Sequence, residues 1–202
     1  MENERRKQTE QKLIQSGMVE FLKKGYAKAN LREICKEAGV TTGAFYFSFE
    51  SKEALLSAIL DPVIADYSHM MSQLAQREEA DPDTAEDNER QIMEYLSAHR
   101  KEAIILMDRA EGSRYENFRQ QVEMQMQNAF TSYFTKFMGS KPDTELIWVL
   151  VAMRLKGYME LIKGEYSVEK RLQLARGIGI HADAGTNALI KYLKEQREVY
   201  RR

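Results

Sequence analysis

The sequence predicts an all-α fold from three observations. Apolar residues recur at intervals of three and four along most of the 202 positions. The three prolines, Pro62, Pro82 and Pro142, fall where those helical patterns would break. No stretch reads as a strand, and there is no internal repeat or low-complexity tract. The length suffices for one large domain or two small ones with a sizeable core. Thirty Lys and Arg against 31 Asp and Glu leave a net charge of −1, so no global basic field advertises nucleic acid. The balance is uneven, with ten basic and eight acidic residues in the first 60 positions and 20 against 23 in the rest. A single cysteine, Cys35, excludes an intramolecular disulfide and a cysteine-based zinc cage. No apolar run approaches the roughly 20 residues of a membrane span, and the charged start MENERRKQTEQK lacks the apolar core of a signal peptide. A cytoplasmic protein is expected, with no membrane association.

The helices follow in order. Leu13, Ile14, Gly17, Met18, Phe21 and Leu22 form the stripe of an amphipathic helix that Gly25 ends. Asn30 caps a second helix, with Glu33 at the third position as in a capping box. Ile34, Cys35 and Ala38 supply its inner face, and Gly39 stops it, taking a turn conformation that a side chain would resist. Thr41 caps a short third helix. Ser51-Lys52-Glu53 opens a fourth that is expected to kink or break at Asp61-Pro62, with helix resuming beyond. Residues 77–89, REEADPDTAEDNE, hold seven acids and one arginine around Pro82 and read as a solvated loop and a helix start. Helices over about 84–99, 101–110, 115–138, 144–163 and 167–197 follow, separated by Gly112-Ser113, Gly139-Ser140-Lys141-Pro142 and Gly164.

The third helix poses a packing question. Phe45, Tyr46, Phe47 and Phe49 fall within five positions, and no helix that short buries all of them on one face. Phe45 and Phe49 are four apart and share a face, which assigns them to the core. Tyr46 and Phe47 then project elsewhere, beside Thr42 and Gly43. Three short helices with a glycine turn between the second and third are the pattern of a helix-turn-helix. An exposed face that is small, polar and aromatic suits close approach to a DNA groove.

From about Leu13 to Leu56 the chain resembles the DNA-binding domain of the TetR family of bacterial transcriptional repressors. The residues that carry the resemblance are Phe21, Gly25, Tyr26, Leu31, Arg32, Ile34, Ala38-Gly39-Val40, Gly43, Phe45-Tyr46, Phe49 and Lys52-Glu53-Leu55. The match is ungapped and covers under a quarter of the chain. It implies a helix-turn-helix DNA-binding domain over residues 1–50 and a helical ligand-binding and dimerisation domain over 51–202. It also implies a homodimer, double-stranded operator DNA and a small-molecule inducer as partners; no catalysis, cofactor or metal is expected from the motifs. Carried over by position, Tyr46 and Lys52 would contact phosphate, and Thr42 and Gly43 would lie against base edges. Thr41 and Thr42 would supply direct readout, with Arg32 at the groove edge and Phe47 on the same face. Ser48 stands where the family often has histidine or tyrosine, and Asn30 where it often has threonine. Arg5, Arg6, Lys7, Lys23, Lys24 and Lys28 are as a set candidates for backbone contact, and singly are solvated surface charges.

Beyond residue 62 the resemblance is one of layout. Ile147, Leu150, Val151, Leu155, Tyr158, Leu161 and Ile162 form a wide stripe, as do Leu172, Ala175, Ile178, Ala182, Gly185, Leu189 and Tyr192 with Gly177 and Gly179 beside them. Both stripes suit pairing with a second copy, the favoured reading because two operator-reading heads need fixed spacing; the other reading is a core within one chain. Gly177-Ile178-Gly179-Ile180-His181-Ala182 matches a dinucleotide fingerprint, but that motif requires a preceding strand, and none is expected. The middle helices are rich in methionine and aromatics, which form either an ordinary core or a pocket for apolar or aromatic ligands. Candidate ligand-binding residues there are His69, Met70, Tyr95, His99, Met107, Asp108, Met126, Phe130 and Trp148. Asp108 lies on an otherwise apolar face and needs a partner, either an arginine such as Arg154 or a cationic ligand. Two other classes compete: an enzyme using the methionine-rich cavity, against which stands the lack of a nucleophile-base or phosphate-loop motif, and a helical protein-binding adaptor without DNA binding.

Overall fold

The computed structural model describes residues 2–80 and 85–200, and among them it has nine helices and no strand. They are α1 (Glu2–Lys24), α2 (Leu31–Glu37), α3 (Thr42–Ser48), α4 (Lys52–Ala80), α5 (Ala85–Ala98), α6 (Arg100–Asp108), α7 (Phe118–Met138), α8 (Thr144–Lys163) and α9 (Val168–Tyr200). The chain forms two compact units, residues 1–76 with 98–119, and residues 77–97 with 120–202. The loop expected around Pro82 falls on residues 81–84, outside those described.

Within the first unit, α1 packs on α2, α3 and α6. Its core unites Leu13 and Phe21 of α1, Ile34 and Cys35 of α2, Phe45 of α3, Leu55, Leu56 and Leu60 of α4, and Ile105 and Leu106 of α6. Phe21 and Phe45 are wholly buried, each stabilising the unit by about 1.5–3 kcal/mol relative to exposure. Ser16 donates from α1 to the Ile34 carbonyl at 3.0 Å, so a buried hydroxyl is satisfied where the two helices meet. Three caps form as expected. Asn30 Oδ1 accepts from Arg32 N (2.9 Å), Thr41 Oγ1 from Ala44 N (3.1 Å) and Ser51 Oγ from Ala54 N (3.0 Å). The capping box does not close through Glu33. The Asn30 amide donates to Glu20 Oε1 of α1 at 3.1 Å, because the turn brings it back against that helix.

Pro62 does not break α4, which runs unbroken from Lys52 to Ala80 with the proline inside it. Nor does Asp61 cap a new helix. Its carboxylate pairs with Arg114 at 2.5 Å and accepts from Tyr115 Oη at 2.5 Å, tying α4 to the segment before α7. Bonds from Arg114 and Tyr115 to Asp61 hold the helix beside the position where proline removes a backbone donor.

In the second unit α8 packs on α9. One apolar cluster holds Phe134, Ile147, Val151 and Ile190, and another holds Met93, Leu161 and Ala175. The glycine-rich run 177–182 lies in the middle of α9 with helix on both sides, so no strand-to-helix turn forms there. Asp143 caps α8 through Glu145 N and Leu146 N, and the buried Arg171 closes its far end.

The packing of the first unit generates two expectations. A Cβ at Gly17 would stand 2.8 Å from Leu55 Cδ2 and 3.3 Å from its Cγ, where α1 meets α4. Gly17→Ala should therefore lower stability by about 1–2 kcal/mol, the overpacking exceeding the gain in helix propensity; a raised urea midpoint would refute the close approach. Burial alone would raise the Glu20 carboxyl, but the bonds from Lys24 and the Asn30 amide and the charges of Lys24 and Lys23 bring it below its ordinary value. A depressed folded value means that its contribution is complete above the unfolded range near about pH 4 and is lost as pH falls below that. Glu20→Gln should flatten the acid limb of the stability–pH curve, and an unchanged limb would dismiss the linkage.

Candidate nucleic-acid interface

The helix-turn-helix is α2, the turn at 38–41, and α3. Ala38 caps α2 with its amide on the Ile34 carbonyl, and Gly39 takes φ +66°, the left-handed conformation that the turn needs. Val40 N returns to Cys35 O at 2.9 Å, which closes the turn. Cys35 is buried, and burial pushes its thiol up against the opposing effect of a Thr42 hydrogen bond.

The aromatic run divides as its spacing predicts. Phe45 is buried and Phe49 half-buried, their ring centroids 5.8 Å apart. Tyr46 is 58 % exposed, edge-on to Phe45 at 5.3 Å, and Phe47 is 85 % exposed. Thr41, Thr42 and Gly43 are exposed beside them, Ser48 is half-buried at the end of α3, and Arg32 is exposed on α2. Gly43 is informative because nothing inside the chain requires it. Its φ is not positive, and the nearest atom to an added Cβ is Thr41 Oγ1 at 3.7 Å. Glycine inside a helix costs about 0.5–1 kcal/mol relative to alanine, and no contact within the chain offsets that cost at Gly43.

Lys52 has a role that sequence alone did not reveal. Its Nζ donates to the Tyr26 carbonyl at 2.7 Å and the Ala29 carbonyl at 3.2 Å, and lies 4.4 Å from the Tyr26 ring centroid. Two of three ammonium donors thus hold the turn between α1 and α2, and one remains for an outside acceptor. Burial lowers its pKa, against the opposing charge of Glu53. Tyr26 is pushed up to about 12 by burial and by a hydrogen bond to Glu53. Glu53 Oε1 also accepts from Arg114 N at 2.9 Å, and Tyr26 N donates to Arg109 O at 2.8 Å. Of the flanking cations, Arg6 pairs with Glu10 and Lys24 with Glu20, while Arg5, Lys7, Lys23 and Lys28 are exposed.

The nine candidate ligand residues divide between the units. His69, Met70, His99, Met107 and Asp108 belong to the first, and Tyr95, Met126, Phe130 and Trp148 to the second. His69 is exposed and bonded to Gln73 at 3.0 Å, and His99 holds the N-cap position of α6. Asp108 pairs with Arg119 at 2.8 Å and not with Arg154, because the chain folds back after α6 and brings the start of α7 to it. Met126 and Phe130 pack on one cluster, Tyr95 is half-buried, and Trp148 is 60 % exposed. Arg154 meets Glu89 and Tyr158 instead, a set the sequence did not single out because Glu89 falls in the acidic stretch read as a loop and helix start.

Residues 13–59 match the family described as bacterial regulatory proteins, tetR family. Over 79 residues the chain is 33% identical to the HTH-type transcriptional regulator TtgR of Pseudomonas putida, covering 39% of this chain and 38% of that protein. Over 46 residues it is 46% identical to the uncharacterized HTH-type transcriptional regulator YerO of Bacillus subtilis, covering 23% and 16%. The chain thus spans less than two-fifths of the length of these curated relatives. Among solved structures it is similar to a transcriptional regulator from Aquifex aeolicus, with TM-score 0.55, 22% identity, and 85% of this chain and 98% of that one covered. It is also similar to NalD, the secondary repressor of the MexAB-OprM multidrug efflux pump in Pseudomonas aeruginosa, with TM-score 0.52, 16% identity, and 88% and 97% covered. At these identities the structural likeness concerns the fold, an all-α arrangement with an amino-terminal helix-turn-helix.

Lys52→Met should lower stability by about 1–3 kcal/mol, because the Tyr26 and Ala29 carbonyls lose a charged donor. Tyr46→Phe, on an exposed ring, should stay within about 0.5 kcal/mol of the parent. Urea midpoints decide it, and equal midpoints for the two variants would deny Lys52 its structural role.

Proposed function

From the tetR-family domain that residues 13–59 form, we propose that the whole chain is a sequence-specific DNA-binding transcriptional regulator, a repressor that a small molecule releases from its operator. The observation that carries this reading is α3. Its outer face presents Thr42, Gly43, Tyr46 and Phe47 to solvent, and Gly43 is unneeded by any internal contact. In this reading residues 1–50 read DNA and residues 51–202 bind the ligand and dimerise. Thr41, Thr42 and Gly43 face base edges, while Tyr46 and the third donor of Lys52 meet phosphate, with Arg32, Phe47 and Ser48 alongside. The protein works in the cytoplasm, where its DNA lies; among the described residues no helix is long and apolar enough to cross a membrane.

Two reading heads need fixed spacing on DNA, which a homodimer supplies. The α8 stripe is largely consumed within the chain, since Ile147, Val151, Leu155, Leu161 and Ile162 are buried without a second copy, whereas on the α9 stripe Ala175 is buried and Gly185 and Tyr192 are exposed. The exposed apolar residues of the two helices support the dimer. Trp148, Val149 and Met153 of α8 and Ile180 and Tyr192 of α9 are 46–63 % exposed, with the exposed Ala152, Ala184 and Ala188 on the same two helices. Large exposed apolar faces of this kind mark association surfaces.

Gly43→Ala separates a DNA interface from a folding role, because the two readings move opposite observables. Stability should rise by about 0.5–1 kcal/mol, while affinity for DNA upstream of the protein's own gene, read by gel shift and footprint, should fall by about tenfold or more, the scale of one lost base contact. Unchanged DNA affinity would remove α3 from the interface. Ile180→Glu should give a folded monomer by ultracentrifugation that no longer binds the operator. A dimer of normal stability would place the pairing surface elsewhere.

A further inference from the structure

The second unit holds a polar cluster built from four helices. Arg154 and Tyr158 stand one turn apart on α8, Glu89 reaches them from α5, Phe130 of α7 lies against the guanidinium, and Gly179 of α9 makes room for the Glu89 carboxylate. A Cβ at Gly179 would overlap that carboxylate. Tyr158 packs on the Met93–Leu161–Ala175 cluster and Phe130 on the Phe134–Ile147–Val151–Ile190 cluster, so the polar group lies between two apolar ones.

Its internal bonding is incomplete in one respect. Arg154 Nη2 donates to Tyr158 Oη at 3.2 Å, but the Glu89 carboxylate stands 3.6 Å away, beyond hydrogen-bond length. Glu89 accepts a hydrogen bond from the Tyr158 hydroxyl instead. The guanidinium, only 24 % exposed in its side chain, rests between the Phe130 ring at 6.0 Å and the Tyr158 ring at 5.7 Å. A guanidinium has five N–H donors. A buried structural pair would meet its carboxylate through the two-pronged fork that makes such pairs strong. Here the Glu89 carboxylate does not enter the fork, and the Phe130 ring stands beside the guanidinium, with Met126 one turn before it on α7.

We propose that Arg154 anchors the effector, and that the effector is an apolar carboxylate whose anionic group forms the two-pronged pair with the guanidinium in the position that Glu89 now only approaches. Its hydrocarbon or aromatic part lies along Phe130 and Met126. One carboxylate takes the place of another at the guanidinium, and Tyr158 donates its hydrogen bond to whichever stands there. That phenol stays protonated throughout the working range, pushed up to about 12 chiefly by burial. The consequence for DNA rests on the repressor reading above, but the binding itself does not.

The test uses the full chain and three acid–amide pairs by isothermal titration calorimetry: benzoate and benzamide, 1-naphthoate and 1-naphthamide, octanoate and octanamide. At least one acid should bind about tenfold or more tightly than its amide, the scale of a lost charge-assisted pair. Arg154→Met should bring that ratio to within about twofold of one, since only the charged fork distinguishes acid from amide. Arg154→Lys, which keeps the charge and loses the fork, should leave an intermediate ratio and serves if the methionine variant fails to fold. Glu89→Gln should strengthen the acid several-fold and leave the amide unchanged. If no acid exceeds its amide, or if the preference survives Arg154→Met, the site is overturned. Gel shifts with the bound acid form a separate arm. An Arg154-dependent preference without release from DNA would uphold the site and sink the release mechanism, whereas intact DNA binding with no preference would sink the site alone.

Discussion

The turn between α1 and α2 has to be held in place for α3 to be presented to anything, and the turn's own backbone cannot do it. Gly25 takes φ +74°, and the residues after it make few bonds among themselves. Lys52 supplies what is missing. From the first turn of α4 it donates to two carbonyls of the turn while its charge lies against the Tyr26 ring. Glu20 fastens the far side through the amide of Asn30, the residue whose side chain caps α2. One turn thereby sets the direction of α2, and through Gly39 that of α3.

The same turn is gripped from the segment after α6. The Arg109 carbonyl accepts the Tyr26 amide, and Arg114 bonds to both Glu53 and Asp61 of α4. This explains why residues 98–119 fold with the head although the end of α4 and all but the last residue of α5 intervene in the sequence. It also explains how α4 carries Pro62. Asp61, next to the proline, is the residue that Arg114 and Tyr115 hold, so a neighbouring segment braces the helix beside the position where proline weakens it.

Periodicity in the sequence shows that a helix face is covered, and for α3 that was enough. A separation of four put Phe45 and Phe49 on one face, and the structure packs them there while Tyr46 and Phe47 stay out. Cap residues were legible for a similar reason, since a cap acts within three positions of itself. Periodicity says nothing of what covers a face. On α8 the core residues and the exposed Trp148, Val149 and Met153 are all apolar, so a partner surface and an internal core had the same spacing signal. Ion pairs across the chain were the least legible. Asp108 found Arg119 and Arg154 found Glu89, and no local pattern distinguishes those pairings from the one the sequence suggested. The bracing role of Lys52 was hidden for the same reason: its sequence position does not reveal that carbonyls 23 and 26 residues away will take its donors.

The second unit contains its own standard for how this chain treats a buried guanidinium. Arg171 is 3 % exposed, and its donors are directed at fixed backbone acceptors. It donates to the Leu161 carbonyl at 2.9 Å, to Gly164 at 3.3 Å and to Tyr166 at 3.1 Å, closing the end of α8 whose last carbonyls would otherwise be orphaned. That is a cation used for folding. Arg154 lies within α8, where the backbone carbonyls are already taken by the helix, and it bonds to one phenolic oxygen at 3.2 Å. If Arg154 served only to join α5 to α8, the carboxylate of Glu89 would be expected to sit in its fork, as burial makes an imperfect pair costly. Instead the carboxylate is held by Tyr158 against Gly179, at a distance from the guanidinium that an incoming anion can exploit. One arginine donates to three backbone carbonyls at the end of α8, and the other faces a carboxylate that already accepts from Tyr158. That contrast supports the proposed role of Arg154 as a recognition group.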